Sequence, residues 1–193
     1  KSMRETFFLV DGHSHLYRAF YAVRGLTKRE GRPTNAVFGF TAMLRRLIDE
    51  HRPDYLAVAL DLPGPTFRHE RYADYKAHRK APPDEFRTQL PLAREVLEAM
   101  DIPVLAREGY EADDILGAGA HAGVEKGLDV VLVTGDKDAA QLVNSHVRVL
   151  DIYKDNVLTA EALEERDGIR PEQVVDVMAL SGDASDNVPG VPK

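Results

Sequence analysis

The chain has 193 residues, 44% hydrophobic and 30% charged, which suits one compact domain with a buried core, or one domain and part of a second. Its 25 basic and 32 acidic residues leave a formal net charge of −7, which taken alone speaks against a nucleic-acid partner. The absence of cysteine excludes a disulfide partner, a thiolate zinc site and a cysteine nucleophile, and no apolar run approaches the roughly 20 residues that span a bilayer.

In chain order, Phe7–Val10 is a wholly apolar run, as expected of a strand covered on both faces. Its shortness leaves no secretory signal, and with the lack of cysteine this gives a cytoplasmic expectation with no membrane partner. Thr34–Glu50 reads as a helix, with Val37, Phe40, Leu44, Leu47 and Ile48 at helical spacing and Thr34 or Asn35 as cap. Tyr55–Leu60 is a second buried strand, broken by Leu62-Pro63-Gly64-Pro65. A basic, aromatic stretch runs from Phe67 to Lys80 and ends at Ala81-Pro82-Pro83. Glu85–Met100 is helical by pattern despite Pro91. Pro103–Ala106 is a short strand, Asp113–His121 a small-residue helix, and Asp129–Val133 a buried strand. Lys137–Val143 is a short helix, Val147–Ile152 a strand, and Pro171–Leu180 a helix opened by proline. Strands alternating with helices of this length predict an α/β fold, a mostly parallel central sheet with helices on both faces. Ligands in such sheets bind outside the carboxyl ends of the strands.

Three buried strands run straight into aspartates there: Asp11 after the first, Asp61 after the second, and Asp136 with Asp138 after Val130–Thr134. Glu111, Asp113 and Asp114 stand at a helix start, and Asp183 and Asp186 lie three apart in Ser181–Asp186. Each acid alone also fits helix capping or turn formation. Together, nine carboxylates on one rim repel, so without cations several would protonate or the rim would open. Oxygen-only ligands select Mg2+ or Mn2+. Nine oxygen donors exceed the need of one ion, which favours two metals about 4 Å apart, the geometry of phosphodiester hydrolysis. Without these nine acids, 23 acidic residues face 25 basic ones, so the bulk acidity belongs to the proposed site and does not bar a polyanion.

Within Phe67–Lys80, a helix would place Arg68, Tyr72, Tyr75, Lys76 and Arg79 on one face. Such a face grips phosphates and stacks on unpaired bases. It also fits a surface helix whose tyrosines pack inward. Its nearness to Asp61 places it over the acidic rim.

With these residues assembled, the chain resembles the 5′-nuclease domain of bacterial DNA polymerase I and the wider flap-endonuclease family, whose core is PIN-like. The matching pieces are Leu9–His13 with Tyr17–Phe20, Pro33–Phe40, Asp61 followed by Phe67–Glu70 and Tyr75-Lys76, Gly109–Asp114, Thr134–Asp138, and Leu180–Val191. The resemblance runs nearly end to end. It implies a divalent-metal-dependent, structure-specific 5′ nuclease that hydrolyses phosphodiester bonds near DNA 5′ ends, used in removing RNA primers and flaps in replication and repair. It further implies that Asp11, Asp61, Glu111 and Asp113 form one metal group, that Asp136, Asp138, Asp183 and Asp186 form the second, and that Asp114 joins them. Two Mg2+ or Mn2+ ions per site are the implied cofactors.

Residues 66–84 look like the base of the family's helical arch, which encloses a single-stranded 5′ end. Lys76 and Arg79 would then approach the scissile phosphate, acting with Asp11 and Asp61, while Arg68 and Tyr72 or Tyr75 steer the strand. Implied partners are DNA with a 5′ end, flap or RNA–DNA junction, and a polymerase fused downstream. On this reading residues 1–180 are the nuclease core, and residues 181–193 open a helix–turn–helix element that binds duplex and is truncated at Lys193.

Rival readings differ in particular residues. A dehalogenase-type phosphatase would want a second Asp at position 13, where His13 stands. A PIN-type ribonuclease shares the acidic rim without needing the Phe67–Lys80 stretch. A non-catalytic nucleotide- or protein-binding module lacks its glycine-rich phosphate loop after the first strand, and a non-catalytic nucleic-acid-binding module is a further alternative. His13 and His15 are expected to pack locally.

Overall fold

The computed structural model describes residues 4–23, 25–27, 31 and 33–192. Lys193, the last residue of the expected helix–turn–helix segment, lies outside them. A six-stranded sheet forms the centre, in the order β3-β2-β1-β4-β5-β6. Its strands are β1 (Thr6–Asp11), β2 (Tyr55–Ala59), β3 (Val104–Leu105), β4 (Asp129–Val133), β5 (Val147–Asp151) and β6 (Asn156–Leu158). The first five run parallel, and β6 returns antiparallel to β5. The expectation of a mostly parallel sheet holds.

Alternation along the strands divides the core. Phe8, Val10, Val58, Val131 and Val133 face one side and pack with Leu16 of α1 (Gly12–Ala22), Phe40 and Leu44 of α2 (Asn35–His51), and Leu97 of α5 (Leu90–Ala99). Leu9, Ala57, Ala59, Val130 and Leu132 face the other side, against Leu116 and Ala120 of α6 (Ala112–Glu125). Both faces of the inner strands are dry, which explains their unbroken apolar sequence.

Several elements depart from the sequence pattern for identifiable reasons. Glu85–Met100 is two pieces, α4 (Asp84–Arg87) and α5, because Pro91 in the first turn of α5 has no N–H to continue the ladder. The break frees the buried Gln89 side chain, whose Oε1 accepts Ala36 N–H at 2.9 Å and so caps α2. Phe67–Lys80 is not one helix. Helix α3 (Phe67–Arg71) stops at Tyr72, and Lys76 takes a left-handed φ of 54°. Successive turns carry the chain onward, with Tyr75 N–H to Tyr72 O and Arg79 N–H to Lys76 O. The expected helical arch is thus a low strap, held by tertiary bonds described below.

Lys137–Leu142 is a 3-10 helix, and Pro171–Gln173 is another that leads into α8 (Val174–Ser181). Helix α1, strand β6 and α7 (Ala160–Asp167) had no counterpart in the sequence pattern. After Ser181 a two-stranded hairpin follows, β7 (Gly182–Asp183) and β8 (Val188–Pro189); no helix of a helix–turn–helix pair follows among the described residues. No helix among the described residues is long and apolar enough to cross a membrane.

Candidate active site at the carboxyl ends of the strands

The chain places β2 and β3 on one side of β1 and β4 and β5 on the other, so its direction switches between β1 and β4. Loops diverge at such a point and leave a cleft. Asp11 closes β1 there, nearly fully buried. It caps α1 by accepting Ser14 N–H at 3.1 Å, and its second oxygen accepts the Thr134 hydroxyl at 2.9 Å. The same hydroxyl oxygen accepts Asp136 N–H at 3.1 Å, tying the ends of β1 and β4 together. Asp136 in turn caps the 3-10 helix through Asp138 N–H. Capping roles and membership of the cleft coexist in these residues.

Two adjoining clefts of about 690 and 680 Å³ meet at Glu111 and Asp113. One contains Asp114, Asp138, Asp183 and Asp186; the other contains Asp11, Asp61, Asp136, Lys76 and Arg79. All nine predicted acids therefore line one continuous depression. Among the described residues, however, no three carboxylate or histidine side chains converge closely enough to hold an ion as they stand.

The acids fall into two electrostatic sets. On the strap side each is matched by a cation. Arg68 forks onto Asp114 at 2.7 and 2.8 Å. Lys76 Nζ lies 2.9 Å from Glu111, Arg79 lies 2.6 Å from Asp186, and Lys137 lies 3.5 Å from Asp183. Tyr75 is buried, and its hydroxyl sits 2.8 Å from Glu111 and 3.0 Å from Asp186. The strap is also sewn down by backbone: Lys76 N–H donates to Asp186 O, and Asn187 Nδ2 donates to Asp74 O. These bonds outweigh the helix pattern of Phe67–Lys80. They also correct the expectation that divalent ions alone relieve the acidic crowding, since basic side chains answer four of the nine acids.

The second set has little relief. Burial pushes the Asp11 carboxyl up from the usual range. Burial, then the charges of Asp11 and Asp136, push Asp113 up to about 7, although its side chain is open to solvent on the cleft floor. Burial, then Asp136, push Asp138 up to about 6; its buried Oδ1 has no hydrogen-bond partner among the described residues, and Lys137 Nζ stands 3.9 Å from it. Opposite shifts mark the matched set. Burial would raise Asp114, but the Arg68 hydrogen bonds, the Glu111 N–H and the charges of Arg68 and Lys76 together outweigh it and hold it below the usual range. Hydrogen bonds from Ser185, its hydroxyl at 2.6 Å, hold Asp183 low. Asp61 accepts Ala112 N–H at 2.6 Å and has His13 at 3.6 Å.

Thr134, Lys137 and Ser185 are the site residues that the sequence reading passed over. All three sit within two residues of a nominated acid, which is the signal that was there to use. Asp151 shows the converse. It ends β5 and meets the strand-end rule, yet Lys154 and two backbone N–H groups satisfy it, away from the clefts. His15 packs as expected, buried with Nε2 at 3.0 Å from Val133 O.

Sheet order and acidic cleft together define a PIN-like α/β protein whose carboxylate depression is bridged by a basic strap. The chain belongs to the family described as 5′-3′ exonuclease, N-terminal resolvase-like domain, which matches residues 6–168. A DNA polymerase I of Chloroflexus aurantiacus is 47% identical over 95% of this chain and 20% of its own length. A 5′-3′ exonuclease of Aquifex aeolicus is 42% identical over 97% of this chain and 65% of its own. The chain thus spans about a fifth of the first relative and under two thirds of the second. The flap endonuclease of bacteriophage T5, solved with DNA and metal ions, superposes with a TM-score of 0.80 at 20% identity, over 97% of this chain and 70% of that one. Flap endonuclease-1 of Methanococcus jannaschii gives 0.57 at 15%, over 98% and 67%. These structural likenesses establish the fold.

Proposed function

We propose that this chain is the catalytic core of a divalent-metal-dependent 5′ nuclease, which hydrolyses phosphodiester bonds near DNA 5′ ends and flaps. The observation that carries the reading is the weakly relieved set Asp11, Asp113 and Asp136 in the cleft that also holds Lys76 and Arg79, with Asp138 in the adjoining cleft. A protein gains nothing in stability from carboxylates pushed together in this way; they fit a cationic occupant. The donor set is all oxygen, which suits Mg2+ or Mn2+. Asp11, Asp61, Glu111 and Asp113 would hold one ion, and Asp136, Asp138, Asp183 and Asp186 a second. Bound there, such ions acidify water and offset charge on phosphoryl oxygens.

The chain's own part starts with the strap. Lys76 and Arg79 offer cations at the mouth of the cleft, where they bind the phosphate to be cut and oppose charge that builds on it. A phosphate that takes over these two cations releases Glu111 and Asp186 from their salt bridges. Substrate binding and carboxylate availability are thereby linked. Tyr72, more exposed than Tyr75, is the strap aromatic that can stack on a base, whereas Tyr75 is occupied with carboxylates. Arg68 is committed to Asp114 and does not steer the strand in this arrangement. The relatives include both a polymerase and an exonuclease, so a polymerase fused downstream is one proposed setting and a separate nuclease the other.

A 5′-labelled flap substrate tests the reading, with Mg2+, with Mn2+ and with chelator, beside single-stranded RNA. Flap cleavage that needs metal and is lost in Asp136→Ala is the expected result. Preferential RNA cleavage would make the chain a PIN-type ribonuclease. DNA binding with no metal-dependent cleavage would make it a binding module.

A further inference from the structure

We infer that Asp114 is not an ion ligand but a positioning residue that detains Arg68 and so keeps Glu111 available to an ion. The inference rests on the ion-binding reading above and assigns one of the nine acids a different task. Both Asp114 oxygens are already in use. Oδ1 accepts Arg68 Nη2 at 2.8 Å; Oδ2 accepts Arg68 Nη1 at 2.7 Å and the Glu111 backbone N–H at 2.9 Å. A fork-to-fork pair of this kind is directional and stronger than a neutral bond. The pair is also mostly shielded from water, with 31% of the Arg68 and 19% of the Asp114 side chain exposed.

The consequence lies one ångström away. The same Arg68 Nη1 that bonds Asp114 stands 3.7 Å from Glu111 Oε2. Glu111 already carries Lys76 on its other oxygen and the Tyr75 hydroxyl on this one. Were Asp114 neutral, the guanidinium would have one full carboxylate left within reach, and it would close on Glu111. An ion would then have to displace two cations from that carboxylate instead of one. Asp114 therefore acts through Arg68, and through the N–H at the start of α6, to hold Glu111 in place and open on one side.

The test counts ions and measures their affinity by Mn2+ titration, with electron paramagnetic resonance reading unbound Mn2+, on the whole chain. Asp114→Asn should keep the wild-type ion count and weaken affinity by about tenfold, the order seen when groups that orient metal ligands are removed. Adding Arg68→Gln in the same chain should restore affinity to that of Arg68→Gln alone, because the competitor is gone. Loss of one ion from the count in Asp114→Asn, or a double variant no tighter than Asp114→Asn, overturns the inference. Should Asp114→Asn fail to fold with its unpaired arginine, the comparison of Arg68→Gln with the double variant decides alone. Equal counts support the inference, and a missing ion sinks it. A wild-type chain that binds no Mn2+ removes the ion-binding reading itself, and this inference with it.

Discussion

Burial and the charges of Asp11 and Asp136 push Asp113 up to about 7, and the sign of that shift has two consequences. A raised carboxyl is proton-bound in the native state at a pH where the unfolded chain has released it. In metal-free protein, stability should therefore fall as pH rises from 3.8 to 7 and level off above. An incoming ion must displace that proton, so Mn2+ affinity should climb as pH approaches 7 and plateau beyond it. In Asp113→Asn the climb should be shallower and the affinity lower throughout, as Mn2+ titrations at stepped pH would report. His15 has the opposite sign. Burial lowers it to about 4 from 6.5, so the unfolded chain takes up a proton that the native state refuses. Its contribution is intact above 6.5 and is lost progressively down to 4. At about 1.4 kcal/mol per unit, roughly 3 kcal/mol is at stake. Denaturant unfolding across that window should show a steeper fall for wild type than for His15→Gln. At this scale the strand-end aspartates were legible because a strand end is a local event. The pairings Arg68–Asp114 and Thr134–Asp11 were not, because each joins residues far apart in the chain.

Among the elements, helix α1 shows how closely the site is tied to the sheet. It begins at Gly12, immediately after Asp11, and a Cβ there would run into Val58, Leu60 and the Ala59 carbonyl. Val58 is fully buried and branched, so it has little room to turn aside. Gly12→Ala should cost about 2 kcal/mol by overpacking, read as a lower thermal midpoint. Its damage to cleavage should exceed what unfolding explains, because Asp11 moves with the helix start. The strap teaches a complementary lesson. Spacing alone put Arg68, Tyr72, Tyr75, Lys76 and Arg79 on one helical face, and the structure brings four of them to the acids without that helix. The strap gathers them by another geometry, since its turn and tertiary bonds were invisible to local pattern. Helix α1 has no counterpart in the sequence reading although Leu16, Ala19 and Phe20 recur at helical spacing and Asp11 caps it.

For the molecule as a whole, the alternation of apolar runs with amphipathic stretches was enough to read a parallel sheet and the edge where the acids gather. The strand order, with its switch between β1 and β4, was not readable, because nothing in the order of segments says on which side β4 will lie. The charge arithmetic follows the fold: a net −7 chain concentrates nine acids in one depression and answers only part of them with cations. Occupying that depression should stabilise the native state by mass action. At a Mn2+ concentration one hundred times Kd, about 2.7 kcal/mol per ion is expected. A thermal midpoint that rises with Mn2+, returns with chelator, and rises only about half as far in Asp136→Ala would register it.

The hydrogen bond from Lys76 to the Asp186 carbonyl joins positions more than a hundred residues apart. A ribosome delivers the chain from its amino end, so the sheet and α6 emerge long before the hairpin that anchors the strap. Until that hairpin appears, Glu111 can hold the Lys76 ammonium, but Arg79 and the Lys76 backbone lack the Ser185 and Asp186 groups that pin them. The strap over the acidic depression is thus fixed only once Asp186 has been made.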